Sequence, residues 1–237
     1  DSDFLTTYSL LGTSMKVRGQ QPTDTVFILD FSTSMTWGYN KDHESVEKKD
    51  SRIQALVNSV NKAIDTLVKA NPENRIAIAV FNGSSTALLP ELTTGSEIME
   101  KVLDGKYLEI TDYDYEQGED GGKALVTCNI NDEEAYTASG TNIQAGMFAG
   151  MKILADNEDT TYELADGTKV TRIPNVVFMS DGAPTTFSSA EDATYYTKSG
   201  DSKSGSITNS TDLNSKRQVQ SGSWWASSSG KAIGSGD

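Results

Sequence analysis

With one cysteine, one histidine and few basic residues, the 237-residue chain lacks the material for several kinds of chemistry. Cys128 alone cannot close an internal disulfide, so the disulfide scaffold of small secreted domains is excluded. Nor can it supply a thiolate cluster, and a single histidine, His43, excludes a zinc site built on imidazoles. His43 lies in a polar loop with no G-x-S-x-G partner, and is read as exposed rather than as part of a nucleophilic triad. Lys and Arg total 20 against 34 Asp and Glu, a net charge of −14, which argues against nucleic acid and against docking on anionic lipid. Such acidity is compatible with divalent cations, although general solubility is the simpler cause. Apolar runs are too short to span a membrane. Asp1-Ser2-Asp3-Phe4 lacks the basic start and apolar core of a signal peptide, as a mature or trimmed chain would.

What is present is a loop-rich α/β pattern, with 36% hydrophobic residues, 20 glycines and enough length to bury a core. Residues 1–23 read as a lead-in segment. Thr25–Asp30 is apolar throughout, as a strand covered on both faces should be. Residues 35–50 read as a polar loop. The spacing of Ile53, Leu56, Val57, Val60, Ile64, Leu67 and Val68 predicts a helix. Ser51 and Gln54 stand at capping-box spacing at its start, and Asn71-Pro72 ends it.

Ile76–Phe81 reads as a second buried strand, Asn82-Gly83 as a tight turn, and Thr86–Leu89 as its antiparallel edge partner. A short helix is expected over Glu97–Leu103, and an acidic irregular insertion over 109–138. Within that insertion Cys128 ends a short β-like run and is read as buried. The acidic stretch 112–120 misses the EF-hand register and reads as solvated.

From Thr141 a further helix is expected, with Ile143, Met147, Met151 and Leu154 on one face and Gly146 and Gly150 allowing close contact with the sheet. Residues 160–172 predict a hairpin with Asp166-Gly167 at its tip, and Val176–Met179 another buried strand. Residues 188–237, rich in Ser and Gly, have the composition of an insertion or arm, where Trp224-Trp225 reads as a local anchor.

Three segments carry oxygen ligands. Asp30-Phe31-Ser32-Thr33-Ser34 follows the first strand, Ser139-Gly140-Thr141-Asn142 opens a helix, and Ser180-Asp181-Gly182 follows another strand. Carboxylates and hydroxyls are hard donors, suited to magnesium, manganese or calcium. An open α/β sheet builds its sites from loops at the carboxyl ends of strands, where these lie.

On these residues the chain resembles a von Willebrand factor type A domain with a metal-ion-dependent adhesion site. The resemblance covers roughly residues 24–187. It implies a Rossmann-like α/β fold: a mostly parallel sheet flanked by helices, with one antiparallel edge strand and long loop insertions. It also implies that Ser32, Ser34 and Thr141 ligate the ion directly, with Asp30 and Asp181 in supporting roles. One octahedral position is then left for a partner's carboxylate. Ser34-Met35, Gly-Thr-Asn-Ile-Gln-Ala-Gly at 140–146 and Met-Ser-Asp-Gly-Ala-Pro-Thr at 179–185 are similar in wording to surface adhesins and pilus-tip proteins of Gram-positive bacteria. Scarce cysteine suits a secreted Gram-positive protein and a cytosolic one equally.

A complete domain of that family needs roughly two more strands with their helices, so the chain reads as a fragment or as carrying them beyond a further loop. The expected function is cell-surface adhesion, as a monomeric module of a larger protein, to a host or matrix protein. The alternative is an intracellular scaffold domain coupled to a partner ATPase complex. Metal-dependent hydrolysis lacks a general base beyond the site's own carboxylates. Trp37 and Tyr39 either line the ligand surface or pack beneath the serine loop. Leu89–Gly95, superficially similar to a sortase signal, reads as edge strand and turn.

Overall fold

The computed structural model describes residues 21–39, 41–115, 122–182 and 184–188, with short strands at Tyr195–Tyr196, Ser202–Lys203 and Arg217–Val219. Its centre is a four-stranded sheet in the order β11-β1-β4-β5. Strand β1 (Thr23–Asp30) pairs in parallel with β4 (Arg75–Phe81) on one side and β11 (Ile173–Met179) on the other, while β5 (Ser85–Thr94) is antiparallel to β4. The fold is thus α/β with a mostly parallel sheet and one antiparallel edge strand.

Helix α1 (Arg52–Ala70) connects β1 to β4 and covers one face of the sheet. Its N-cap is Ser51, whose hydroxyl accepts the Gln54 N–H. The predicted apolar stripe from Ile53 to Val68 is buried and packs with Phe27 and Leu29 of β1, except that Leu67 is only half-buried at its margin. Each such side chain contributes roughly 1.5–3 kcal/mol by leaving water.

Helix α3 (Ile143–Ala155) covers the other face, over Val26 and Ile28. Its sheet-facing ridge is made of Ala145, Gly146, Ala149 and Gly150, all buried. Ile143, Met147 and Leu154 flank that ridge, but Met151 is 47% exposed, contrary to the sequence expectation. The smallest residues face the sheet because the backbone comes so close. A methyl added at Gly146 would lie 2.7 Å from Cγ of Phe81, and one at Gly150 would lie 2.5 Å from Cγ1 of Ile28.

Three other expectations are revised. Residues 35–50 hold a 3-10 turn (Thr33–Thr36) and a small hairpin of β2 (Trp37–Gly38) and β3 (Lys41–Ser45). The stretch 109–138 is an ordered antiparallel sheet of β6 (Leu108–Asp114), β7 (Lys123–Cys128) and β8 (Glu133–Tyr136). Its inward residues, Ile110, Val126, Cys128 and Ala135 among them, join the α1-side core. Acidic residues on the opposite face masked that two-residue alternation.

Third, Val176 and Phe178 are each 38% exposed rather than buried, because β11 is the outer strand of the described sheet and pairs there with β1 alone. The expected short helix is present as α2 (Gly95–Lys101), starting and ending two residues earlier than Glu97–Leu103. The hairpin of β9 (Thr161–Glu163) and β10 (Lys169–Thr171) stands as predicted, and Leu89–Gly95 forms the end of β5 and the start of α2. The side chain of His43, residues 116–120 and Trp224-Trp225 lie outside the described residues.

Candidate functional site

The chain leaves β1 for β4 through α1, and later places β11 on the opposite flank of β1. Strand order therefore reverses at β1, so the loops that follow β1 and β11 leave the same edge of the sheet side by side, where open α/β sheets build their sites. Parallel register sets Leu29 beside Met179, so Asp30 and Ser180 leave the sheet together.

Asp30 is fully buried. One carboxylate oxygen accepts the Ser32 N–H at 2.7 Å and the other accepts the Ser180 hydroxyl at 2.6 Å. Burial pushes its carboxyl above the ordinary range, while the hydrogen bonds from Ser180 and Ser32 pull it back and the neighbouring Asp181 adds to the rise. The Ser34 hydroxyl donates to Asp181 Oδ1 at 3.0 Å, and Ser32 and Ser34 Oγ are 2.9 Å apart. A hydroxyl has one proton, so with Ser34 donating to Asp181, Ser32 must donate to Ser34. Four of the five predicted residues, Asp30, Ser32, Ser34 and Asp181, thus converge through direct contacts or shared partners.

Thr141 is reached differently. Beyond β8, Ala138 forms a parallel bridge with Ser32, its carbonyl accepting the Thr33 N–H and its own N–H donating to the Phe31 carbonyl. Three residues on, the Thr141 N–H donates to the Thr185 hydroxyl at 2.8 Å, and the Thr185 N–H donates back to the Thr141 carbonyl. Thr141 is buried and its hydrogen bonds run to Thr185, not to the other four residues; its loop is joined to the serine loop through Ala138. Asn142 caps α3 by accepting the Ala145 N–H, and its buried Nδ2 has no partner among the described residues.

Two residues at the site escaped sequence reasoning. Ser180 had stood only as part of a motif, although its hydroxyl orients Asp30. Arg52, the first residue of α1, donates from Nη1 to Asp181 Oδ2 at 2.6 Å, both side chains being mostly buried. Its guanidinium also lies 5.8 Å from the centre of the Trp37 ring. Trp37 therefore packs within the site's wall, while Tyr39 is 68% exposed beside it. No local pattern signals Arg52, because its partner is 129 residues away.

The donor set is chemically suited to a hard divalent cation: two carboxylates, three hydroxyls and no nitrogen or sulfur ligand. Among the described residues no group of three or more His, Cys, Asp or Glu comes together, so an ion held here would depend on the hydroxyls.

No protein-family model matches the chain, and no curated protein does. Among solved structures, the PilB minor pilin from Streptococcus sanguinis is similar with a TM-score of 0.46 and 17% sequence identity, covering 73% of this chain and 32% of the pilin. A single-substitution variant of that pilin is similar with a TM-score of 0.49 and 16% identity, covering 73% of this chain and 33% of its own. The chain spans about a third of the length of the structures it matches.

Proposed function

We propose that this chain is an adhesion module of the von Willebrand factor type A kind, working on a bacterial cell surface or cell wall. In this reading Ser32, Ser34 and Thr141 hold a magnesium, manganese or calcium ion directly, and Asp30 and Asp181 support it. The observation that carries the proposal is the convergence of Asp30, Ser32, Ser34 and Asp181 where strand order reverses. The ion would supply a positive centre with a free position for a carboxylate of a host or matrix protein. The chain's own part is to hold five hard donors in place, Asp30 being fixed by Ser180 and the Ser32 amide. With few anionic donors the ion stays electrophilic, which suits binding rather than catalysis.

The test is calorimetric titration of metal-stripped protein with each of the three ions, beside Asp30→Ala and Asp181→Ala. Saturation near one ion per chain is expected, with affinity falling about 10- to 100-fold or more in each variant. Circular dichroism confirms that the variants fold. Unchanged affinity in both would refute the site. Matrix-protein capture that a chelator abolishes would then support adhesion.

A further inference from the structure

We infer that Arg52 is a built-in counter-cation that competes with the metal ion for Asp181 and so sets how readily the site fills. The inference rests on the metal-site reading above and concerns its regulation. Asp181 has both carboxylate oxygens engaged: Oδ1 by Ser34 and Oδ2 by the Arg52 guanidinium at 2.6 Å. The Arg52 and Asp181 side chains retain only 14% and 10% of their exposure, so water screens their attraction poorly. With Arg52 in place, two carboxylates and one guanidinium leave the pocket one net negative charge instead of two. A dication entering it must overcome the repulsion of Arg52, move the guanidinium aside, or share the carboxylate with it.

The placement of Arg52 fits such a role. It occupies the first turn of α1, whose N-terminus carries the positive end of the helix dipole and gives a cation no stabilisation. Its contacts there include Asp181 on one side and the face of Trp37 on the other. Trp37 belongs to the hairpin that flanks the serine loop, next to the exposed Tyr39. A shift of Arg52 away from Asp181 would therefore change what the Trp37 ring touches, linking the charge state of the site to its rim. A fixed Arg52 that merely orients Asp181 for the ion predicts the opposite outcome, since its loss would weaken metal binding.

The experiment uses the whole chain with Arg52→Met, which keeps an unbranched apolar stem, and Arg52→Lys, which keeps the charge without the planar fork. Magnesium and manganese are titrated calorimetrically into metal-stripped wild type and both variants. Thermal unfolding is followed with and without the metal. Arg52→Met should bind at least about tenfold more tightly than wild type, with Arg52→Lys between them. Without metal, Arg52→Met should unfold at a lower temperature than wild type, and its gain on adding metal should be the larger.

Trp37 emission should change on metal addition to wild type and less in Arg52→Met, with Trp37→Phe isolating that signal. Measurable binding by wild type with equal or weaker binding by Arg52→Met would overturn the inference and leave the metal site standing. Binding by Arg52→Met alone would support it most directly. Binding by neither protein would overturn the metal-site reading and, with it, this one.

Discussion

Two glycines decide how closely α3 approaches the sheet, and they are not equivalent. A methyl at Gly146 meets Phe81 at Cγ and at 3.0 Å from Cβ, close to the backbone, and the Phe81 ring is itself stacked on Phe178 at 5.5 Å between centroids. A methyl at Gly150 meets the outer atoms of Ile28, which a rotamer change can withdraw at some cost. Alanine gains about 1 kcal/mol of helix propensity over glycine at either place. Overpacking costs about 1–3 kcal/mol and outweighs that gain where the neighbour cannot yield. Gly146→Ala is therefore expected to lower the urea midpoint clearly, and Gly150→Ala to lower it less. The reverse order would show that Phe81 yields more easily than Ile28.

At the scale of the element, α2 is only seven residues long and relies on its cap. Thr94 accepts the Glu97 N–H, and the Glu97 carboxylate accepts the Thr94 N–H at 3.0 Å and its hydroxyl at 2.8 Å. Thr94→Ala should cost about 1 kcal/mol in denaturant unfolding at neutral pH. The hydrogen bonds from the Thr94 side chain, then its backbone, hold the Glu97 carboxyl below its usual range. A group with a depressed folded pKa stabilises above its unfolded pKa and loses that contribution as pH falls through the folded one. The stability difference between wild type and Glu97→Gln should accordingly be full at pH 7 and shrink from about pH 4 downward. A difference that persists at pH 2 would mean that the carboxylate charge is not what the cap uses.

Across the whole molecule, the two ends of the central strands do different work. At the amino ends, Arg75 forks onto Asp24 with bonds of 2.8 and 2.7 Å and also reaches the Asp159 carbonyl at 2.6 Å. Arg172, just ahead of β11, donates to the Glu73 carbonyl and stands 3.8 Å from Asp24. All three charged groups are buried, so the cluster ties β1, β4 and the entry to β11 together opposite the candidate site. Hydrogen bonding to Asp24 raises the Arg75 pKa further, so the guanidinium stays charged. Arg75→Met leaves Asp24 buried beside a lost partner and should cost about 3–5 kcal/mol in chemical denaturation. Adding Asp24→Asn should recover part of it, and a purely additive double variant would deny the coupling.

The sequence by itself determined what depends on neighbours within a few positions. Its apolar runs gave β1 and β4, its 3.6-residue spacing gave α1, and Asn82-Gly83 and Asp166-Gly167 gave the two hairpin turns. It also marked the oxygen-rich loops, because an apolar run that ends on Asp or on Asp-x-Ser-x-Ser is legible locally.

Tertiary structure alone decided which strand lies beside β1 and which contacts the loops make. It turned an acidic stretch into the sheet β6-β7-β8 by burying the half of each strand that composition hid. It brought Arg52 to Asp181 across 129 residues and Ser180 to Asp30 across 150. Contacts over such distances are fixed by how elements pack, and a packing partner that far along the chain leaves no trace in the local pattern.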